Sequence, residues 1–308
     1  MSRYNLGPKE FLASAGAMSH QWSQPEALEY TRWLATHHYE NFHIASFLLP
    51  RRLHQDFYNV YGFCRWADDL GDEIGDPRES LRLLAWWRNQ LHEMYAGRAE
   101  HPVYVALRGT AERCSLPIAP FADLITAFEQ DQTVTRYRTW DELFGYCRNS
   151  ANPVGRLVLY LCGYSDPERQ ALSDATCTAL QMANFWQDVT VDLAKGRVYI
   201  PLEVMDRHGY TLADLEACRF SPPFRLVMRD IVEVARGLFH QGLALVNTVD
   251  RRLAIDLDLF SRGGLRVLEK IEAQDYNVLA RRPAVSKIER ARLLLGAIAR
   301  RAFSRAAA

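Results

Sequence analysis

The chain has 308 residues, 48% of them hydrophobic, with Lys+Arg and Asp+Glu both at 37 and a formal net charge of zero. Such a composition builds a sizeable core, excludes a disordered chain, and leaves no overall field to recruit nucleic acid. Six cysteines stand singly without a C-x-x-C pair, as thiols of a reducing compartment do, which excludes a disulfide frame.

Taken in chain order, helical signals dominate. An apolar stripe through Leu34, Phe42, Ala45 and Leu49 predicts a helix from Thr31 to Leu49, ended by Pro50. An aromatic-rich helix follows from Phe57 to Leu70, closed by Gly71, Gly75, Asp76 and Pro77. Ser80 reads as the cap of the next, Leu81 to Tyr95. Further helices are expected at Phe121–Asp131, Trp140–Cys162, Asp174–Leu193, Pro223–Val246, Leu265–Glu272 and Val285–Ala302, and only Gly196–Ile200 reads as extended. No repeat or linker divides these amphipathic segments, so the expectation is an all-α bundle in a single domain over residues 1–308.

Two acidic clusters carry the chemistry. Asp68 and Asp72 are four apart, on one helix face and about 6 Å apart along the axis, with Arg65 sharing that face. The second cluster, Gln181, Asn184, Asp188 and Asp192, follows offsets of 0, 3, 7 and 11, which predicts one polar stripe on a continuous helix. Leu180, Met182, Ala183, Phe185, Trp186, Val189 and Val191 surround it, so the stripe reads as facing an internal cavity. A lone D-x-x-x-D is usually a solvated face, but two such clusters on separate helices are hard to ascribe to coincidence. Four carboxylates gathered in one cavity would repel unless cations compensated them. Magnesium suits such oxygen ligands, because it bridges one or two carboxylates to substrate phosphates and keeps its waters. Arg65, Arg197 and an Arg near the C-terminus could then grip the diphosphate by charge-assisted bonds.

At these residues the chain resembles the squalene/phytoene synthase family, from about Tyr30 to Pro283, with residues 1–29 and 284–308 as extensions. The two acidic motifs match at Asp68 and Asp72 and at Asn184, Asp188 and Asp192, followed by Gly196-Arg197-Val-Tyr199-Ile-Pro201. His38 and Phe42, in the segment ending Leu-Leu-Pro50, match positions that contact diphosphate or prenyl chain, and Tyr146 matches a tyrosine on a central helix. The resemblance implies an all-α isoprenoid-synthase bundle around a deep cavity, three magnesium ions, and metal ligands at Asp68, Asp72, Asn184, Asp188 and Asp192. It assigns diphosphate binding to His38, Arg65, Gln181, Arg197 and Arg282, and catalysis to Tyr146, Phe42, Asn41 and Asn152.

Three stretches look like the branch that adds water to the cation: Glu40-Asn41-Phe42, Ser150-Ala-Asn152-Pro-Val-Gly155, and Phe185-Trp186-Gln187-Asp188, where relatives more often carry Ile-Leu-Arg-Asp. Asn41 and Asn152 could hold a water near a carbocation; a cap or turn contact is the plainer reading of either. The implied activity is magnesium-dependent ionisation of presqualene diphosphate with water capture, needing no NADPH. The rivals are a head-to-head prenyltransferase of the same fold, a terpene cyclase, and a non-catalytic assembly protein. An enzyme supplying presqualene diphosphate would be a hand-over partner; nucleic acid is not expected as one. No stretch reaches the ~18 apolar residues of a membrane span and no signal-peptide core is present, so a cytoplasmic place is expected. Arg282 apart, the Arg-rich tail (Arg281, Arg290, Arg292, Arg300, Arg301, Arg305) is preferentially a solvated helix with i,i+4 pairs, and secondarily a peripheral membrane contact.

Overall fold

A computed structural model describes residues 5–37 and 50–303. The helices in chain order are α1 Pro8–Ala13, α2 Ala15–Met18, α3 Gln24–His37, α4 His54–Asp72, α5 Pro77–Tyr95, α6 Pro102–Cys114, α7 Ala119–Gln130, α8 Trp140–Ser150 and α9 Asn152–Leu161. They continue with α10 Pro167–Gln187, α11 Val189–Ala194, α12 Leu202–Arg207, α13 Leu212–Glu216, α14 Pro222–Gly242, α15 Arg251–Ala273 and α16 Lys287–Phe303. Among the described residues there is no strand; the extended hint at Gly196–Ile200 becomes one parallel bridge between Arg136 and Val198.

Local chemistry explains where these helices start, and where the sequence-based bounds shift. Asp76, not Ser80, caps α5: its side chain accepts from the Arg78 N–H and Pro77 takes the first helical position. Asp166 with Pro167, and Ser221 with Pro222, do the same for α10 and α14. The helix expected at Leu265 begins instead at Arg251, where Asp250 accepts from the Arg252 and Leu253 N–H groups. Gly263 and Gly264 hide this, because glycine weakens a helical signal. Gly264 is nonetheless required by packing: a Cβ there would lie 2.1 Å from Cζ of Phe239.

Two expected long helices are broken. Trp140–Cys162 divides at Ala151 (φ −99°, ψ −48°), and Asp174–Leu193 divides at Asp188 (φ −107°, ψ 19°). The helix α6, which the sequence did not signal, buries every residue from Pro102 to Leu107, so its first half lacks an amphipathic period.

The chain forms two compact units, Met1–Thr133 with Pro153–Ser165, and Val134–Asn152 with Asp166–Ala308. In the first, α4 packs against α3, α5, α6 and α7 around Phe63, Trp66, Trp87 and Tyr104, with Trp66 and Trp87 stacked at 5.2 Å. Each such aromatic truncated to Ala would cost about 3–5 kcal/mol. In the second, α10 lies along α14 and α15; Gly242 permits this approach, since a Cβ would meet Oγ1 of Thr176 at 2.1 Å.

Candidate functional site

In the first unit, α4 buries Phe63, Trp66, Ala67 and Leu70, and this fixes the opposite side of its last turns. Asp68 is half-buried there and Asp72, the final helical residue, is exposed. Arg65 reaches Asp69 at 2.6 Å and Asp68 only at 3.8 Å, so its closest carboxylate is one that sequence reasoning passed over. Burial pushes the Asp69 carboxyl up to about 6 against the pull of Arg65, and the charges of Asp68 and Glu73 add to the rise. The Nε of Arg65 is buried with no acceptor, a donor left over for an anionic oxygen.

In the second unit the stripe on α10 survives, bent. Asn184 is exposed, while Met182, Ala183, Trp186 and Gln187 are buried behind it. Asp188 leaves helical geometry, yet its N–H still bonds to the Asn184 carbonyl at 2.9 Å, and the Asp192 N–H to the Asp188 carbonyl at 2.8 Å. The run of ligands is therefore kinked between α10 and α11 rather than carried on one helix. Burial, then repulsion from Asp188, pushes the Asp192 carboxyl up to about 6, opposed by Lys195 and Arg197. The turn at Gly196 (φ +73°) returns the Arg197 N–H to the Asp192 carbonyl at 2.9 Å, which sets Arg197 beside that aspartate. A recess of about 10 Å³, room for one water, is lined by Phe185, Asp192, Arg197 and Tyr199.

Arg282 is held against Asp188 by two hydrogen bonds, Nε to Oδ1 and Nη2 to Oδ2, the latter at 3.0 Å. Its segment is pinned from both sides. The buried Gln187 amide donates to the Pro283 carbonyl, and the Gln274 amide donates to the carbonyls of Asn277 and Arg281 at 3.2 and 3.1 Å. Consecutive left-handed residues, Asp275 and Tyr276, turn the chain after α15, and Arg225 pairs with Asp275. The substitution at Gln187 thus removes a charge beside the acidic cluster and supplies an anchor instead.

Tyr146 is buried among Tyr137, Phe185 and Tyr199, at centroid distances of 5.5, 6.3 and 6.0 Å. Phe185 and Tyr199 stack at 3.7 Å. Tyr137 carried no signal in the sequence, whereas Tyr199 lay inside a quoted motif. Gln181 accepts from the Ser150 hydroxyl at 3.0 Å, and buried Asn152 accepts from Thr178 at 2.8 Å. The side-chain oxygen of Asn152 therefore makes a packing contact. His38, Asn41 and Phe42 lie outside the described residues, as do the end of the expected Thr31–Leu49 helix and Arg305.

Among the described residues no three His, Cys, Asp or Glu side chains form a group able to hold a metal alone. Magnesium does not need one, since it takes one or two carboxylates and completes its octahedron with water and phosphate. The all-oxygen sets Asp68/Asp72 and Asn184/Asp188/Asp192, with a half-buried and mutually repelling pair in the second, fit that ion.

Residues 35–289 match the squalene/phytoene synthase family. The chain belongs to that family. Its members are enzymes acting on prenyl diphosphates, and its fold is the all-α isoprenoid-synthase fold. The chain is 33% identical over 258 residues to a phytoene synthase of Thermus thermophilus, covering 83% of this chain and 87% of that one. It is 34% identical over 278 residues to a hydroxysqualene synthase of Sinorhizobium fredii, covering 88% and 93%. The crystal structure of squalene synthase HpnC from Alicyclobacillus acidocaldarius superposes with a TM-score of 0.80 at 44% identity, covering 82% and 96%.

Proposed function

We propose that this family member ionises presqualene diphosphate and adds water to the resulting thirty-carbon cation, giving hydroxysqualene and diphosphate. The single observation that supports it best is the Asp188–Asp192 pair at the kink after α10, where Asp188 repels Asp192 and Arg282 and Arg197 stand beside the two carboxylates. Support for the water-adding branch comes from Gln187 and its neighbours, and from relatives that are hydroxysqualene synthases. Phytoene synthases are about equally similar, so identity alone does not choose between the reactions.

In this reading Asp68 and Asp72 in the first unit, and Asn184, Asp188 and Asp192 in the second, would hold magnesium, three ions by family resemblance. Bound there, it would stabilise the charge that develops on a departing diphosphate. The chain's own cations do the rest of the binding. Arg65 offers its unpaired Nε, and Arg282 and Arg197 give charge-assisted bonds to phosphate oxygens, with His38 and Gln181 as further contacts. Tyr146 and, by the family resemblance, Phe42 would steady the cation through their rings, each worth about 0.5–2 kcal/mol. Asn41 would hold the capturing water through its amide; the side-chain oxygen of Asn152 is already engaged by Thr178.

The bonds balance without redox chemistry. One C–O bond to diphosphate breaks with its electron pair leaving on oxygen, the cyclopropylcarbinyl cation rearranges and opens its ring as C–C bonding electrons shift to leave a new C=C, one C–O bond to water forms, and the water's proton passes to diphosphate. No nicotinamide is required.

The deciding experiment incubates purified protein with magnesium and either presqualene or farnesyl diphosphate in ¹⁸O-labelled water. Hydroxysqualene carrying the label, formed from presqualene diphosphate, is the expected product. Squalene or phytoene as the main product, or no turnover of presqualene diphosphate, would refute the assignment.

A further inference from the structure

Helix α16 lies almost wholly beyond the family-matched region, which ends at residue 289. One side of it is docked on α15. Ala297 is fully buried, Glu289 pairs with Arg266 at 2.7 Å and Lys270 at 2.9 Å, and Arg300 reaches Asp258 at 2.6 Å. Its paired charges thus bind the neighbouring helix and not residues one turn away, unlike the solvated helix that the sequence favoured.

The other side is apolar and open. At about 100° per residue, Ile288, Ala291, Leu295, Ile298 and Ala299 fall in one stripe opposite Ala297. Ile288 is 66% exposed, Leu295 67% and Ile298 38%. Elsewhere among the described residues only Met18, Tyr95 and Val191 are large hydrophobics that exposed, so the clustering on one helix face is not the usual scatter. Exposed Lys287 and Arg292 border the stripe, and Glu289, already engaged by α15, is the helix's sole acidic residue.

The size and charge of this face select its occupant. Seventeen helical residues span roughly 25 Å, and a stripe about 10 Å wide gives roughly 250 Å², far below the ~800 Å² per partner of a stable protein pair. An aliphatic seam with basic edges instead matches the interfacial layer of an anionic bilayer, where side chains seat among acyl chains and cations meet phosphates. We propose that α16 docks this protein on an anionic lipid surface through Ile288, Leu295 and Ile298, with Lys287 and Arg292 at the headgroups. The inference goes beyond the catalytic reading and does not depend on which prenyl diphosphate the enzyme takes.

Vesicle sedimentation with the full chain tests it, comparing phosphatidylcholine alone with phosphatidylcholine containing about 30% phosphatidylglycerol. Wild type is expected on the anionic vesicles only. The triple variant Ile288→Gln, Leu295→Gln, Ile298→Gln should bind them about tenfold more weakly, and Lys287→Gln with Arg292→Gln about fivefold. Matched melting temperatures show that each variant is folded, which three exposed positions favour. Absence of anionic binding in wild type, or a triple variant within about twofold of it, overturns the proposal. So does a concentration-dependent dimer, seen by light scattering, that the triple variant dissolves.

Discussion

Asp256 on α15 shows at the scale of one side chain what burial does to a charge. It is 3% exposed, and neither of its carboxyl oxygens has a hydrogen-bond partner. Burial, with a smaller push from Asp250, raises its carboxyl to about 8 from the ordinary 3.8. Between these two values the folded protein keeps a proton that the unfolded chain releases. Folding therefore takes up a proton, and stability falls as pH rises from about 4 to 8, beyond which the loss is complete. Asp256→Asn removes the ionisation while keeping the shape. We expect it to raise the melting temperature at pH 8 by several degrees, on the order of 1–3 kcal/mol, with the gain shrinking towards pH 5. Parallel melting curves of the two proteins across pH would contradict this. Asp256 had no sequence signal, since an aspartate four residues from an apolar neighbour looks the same whether buried or solvated.

Among the elements, the segment joining α15 to α16 bears most directly on chemistry. Its Arg282 is placed on Asp188 by three separate holds: Gln187 to Pro283, Gln274 to Arg281, and Arg225 to Asp275. We expect Gln187→Leu, which keeps the volume and deletes the donor, to weaken inhibition by inorganic diphosphate about three- to tenfold. That is the loss of one hydrogen bond of about 0.5–1.5 kcal/mol. KM should rise with little change in kcat, whereas a purely structural role would lower the melting temperature and leave the inhibition constant alone. The sequence disclosed the acidic stripe, because spacing encodes which residues share a helix face, and disclosed Arg282 only through the family resemblance. It did not disclose the kink at Asp188, because the offsets of 0, 3, 7 and 11 fit a straight helix equally well. Nor did it disclose the docking of Pro283 on Gln187, a contact between residues far apart in the chain. The start of α14 was legible to within one residue, whereas α10, expected from Asp174, begins at Pro167 behind its Asp166 cap, and α15 was concealed by Gly263 and Gly264, the second of which lets Phe239 approach.

For the molecule as a whole, the all-α class was legible because helical periodicity and capping repeat along the chain, and the family was legible because its motifs survive intact. The division into two compact units was not, since no linker or change of composition marks residues 134, 153 or 166. The proposed metal ligands are shared out accordingly, Asp68 and Asp72 in one unit, Asn184, Asp188 and Asp192 in the other. This makes thermal stability a readout independent of turnover. A ligand that binds only the folded state at about 100 times its Kd adds about 2.7 kcal/mol, on the order of 5 °C for a chain of this size. We expect magnesium together with inorganic diphosphate to give a shift of that order, magnesium alone much less, and a chelator to reverse it and abolish turnover. Asp192→Asn and Asp68→Asn should each shrink the shift to below about 2 °C, measured against each variant's own melting temperature. If Asp192→Asn alone does so, the ligand set reduces to the second unit; if neither does, the carboxylates at these positions are not what holds the cation.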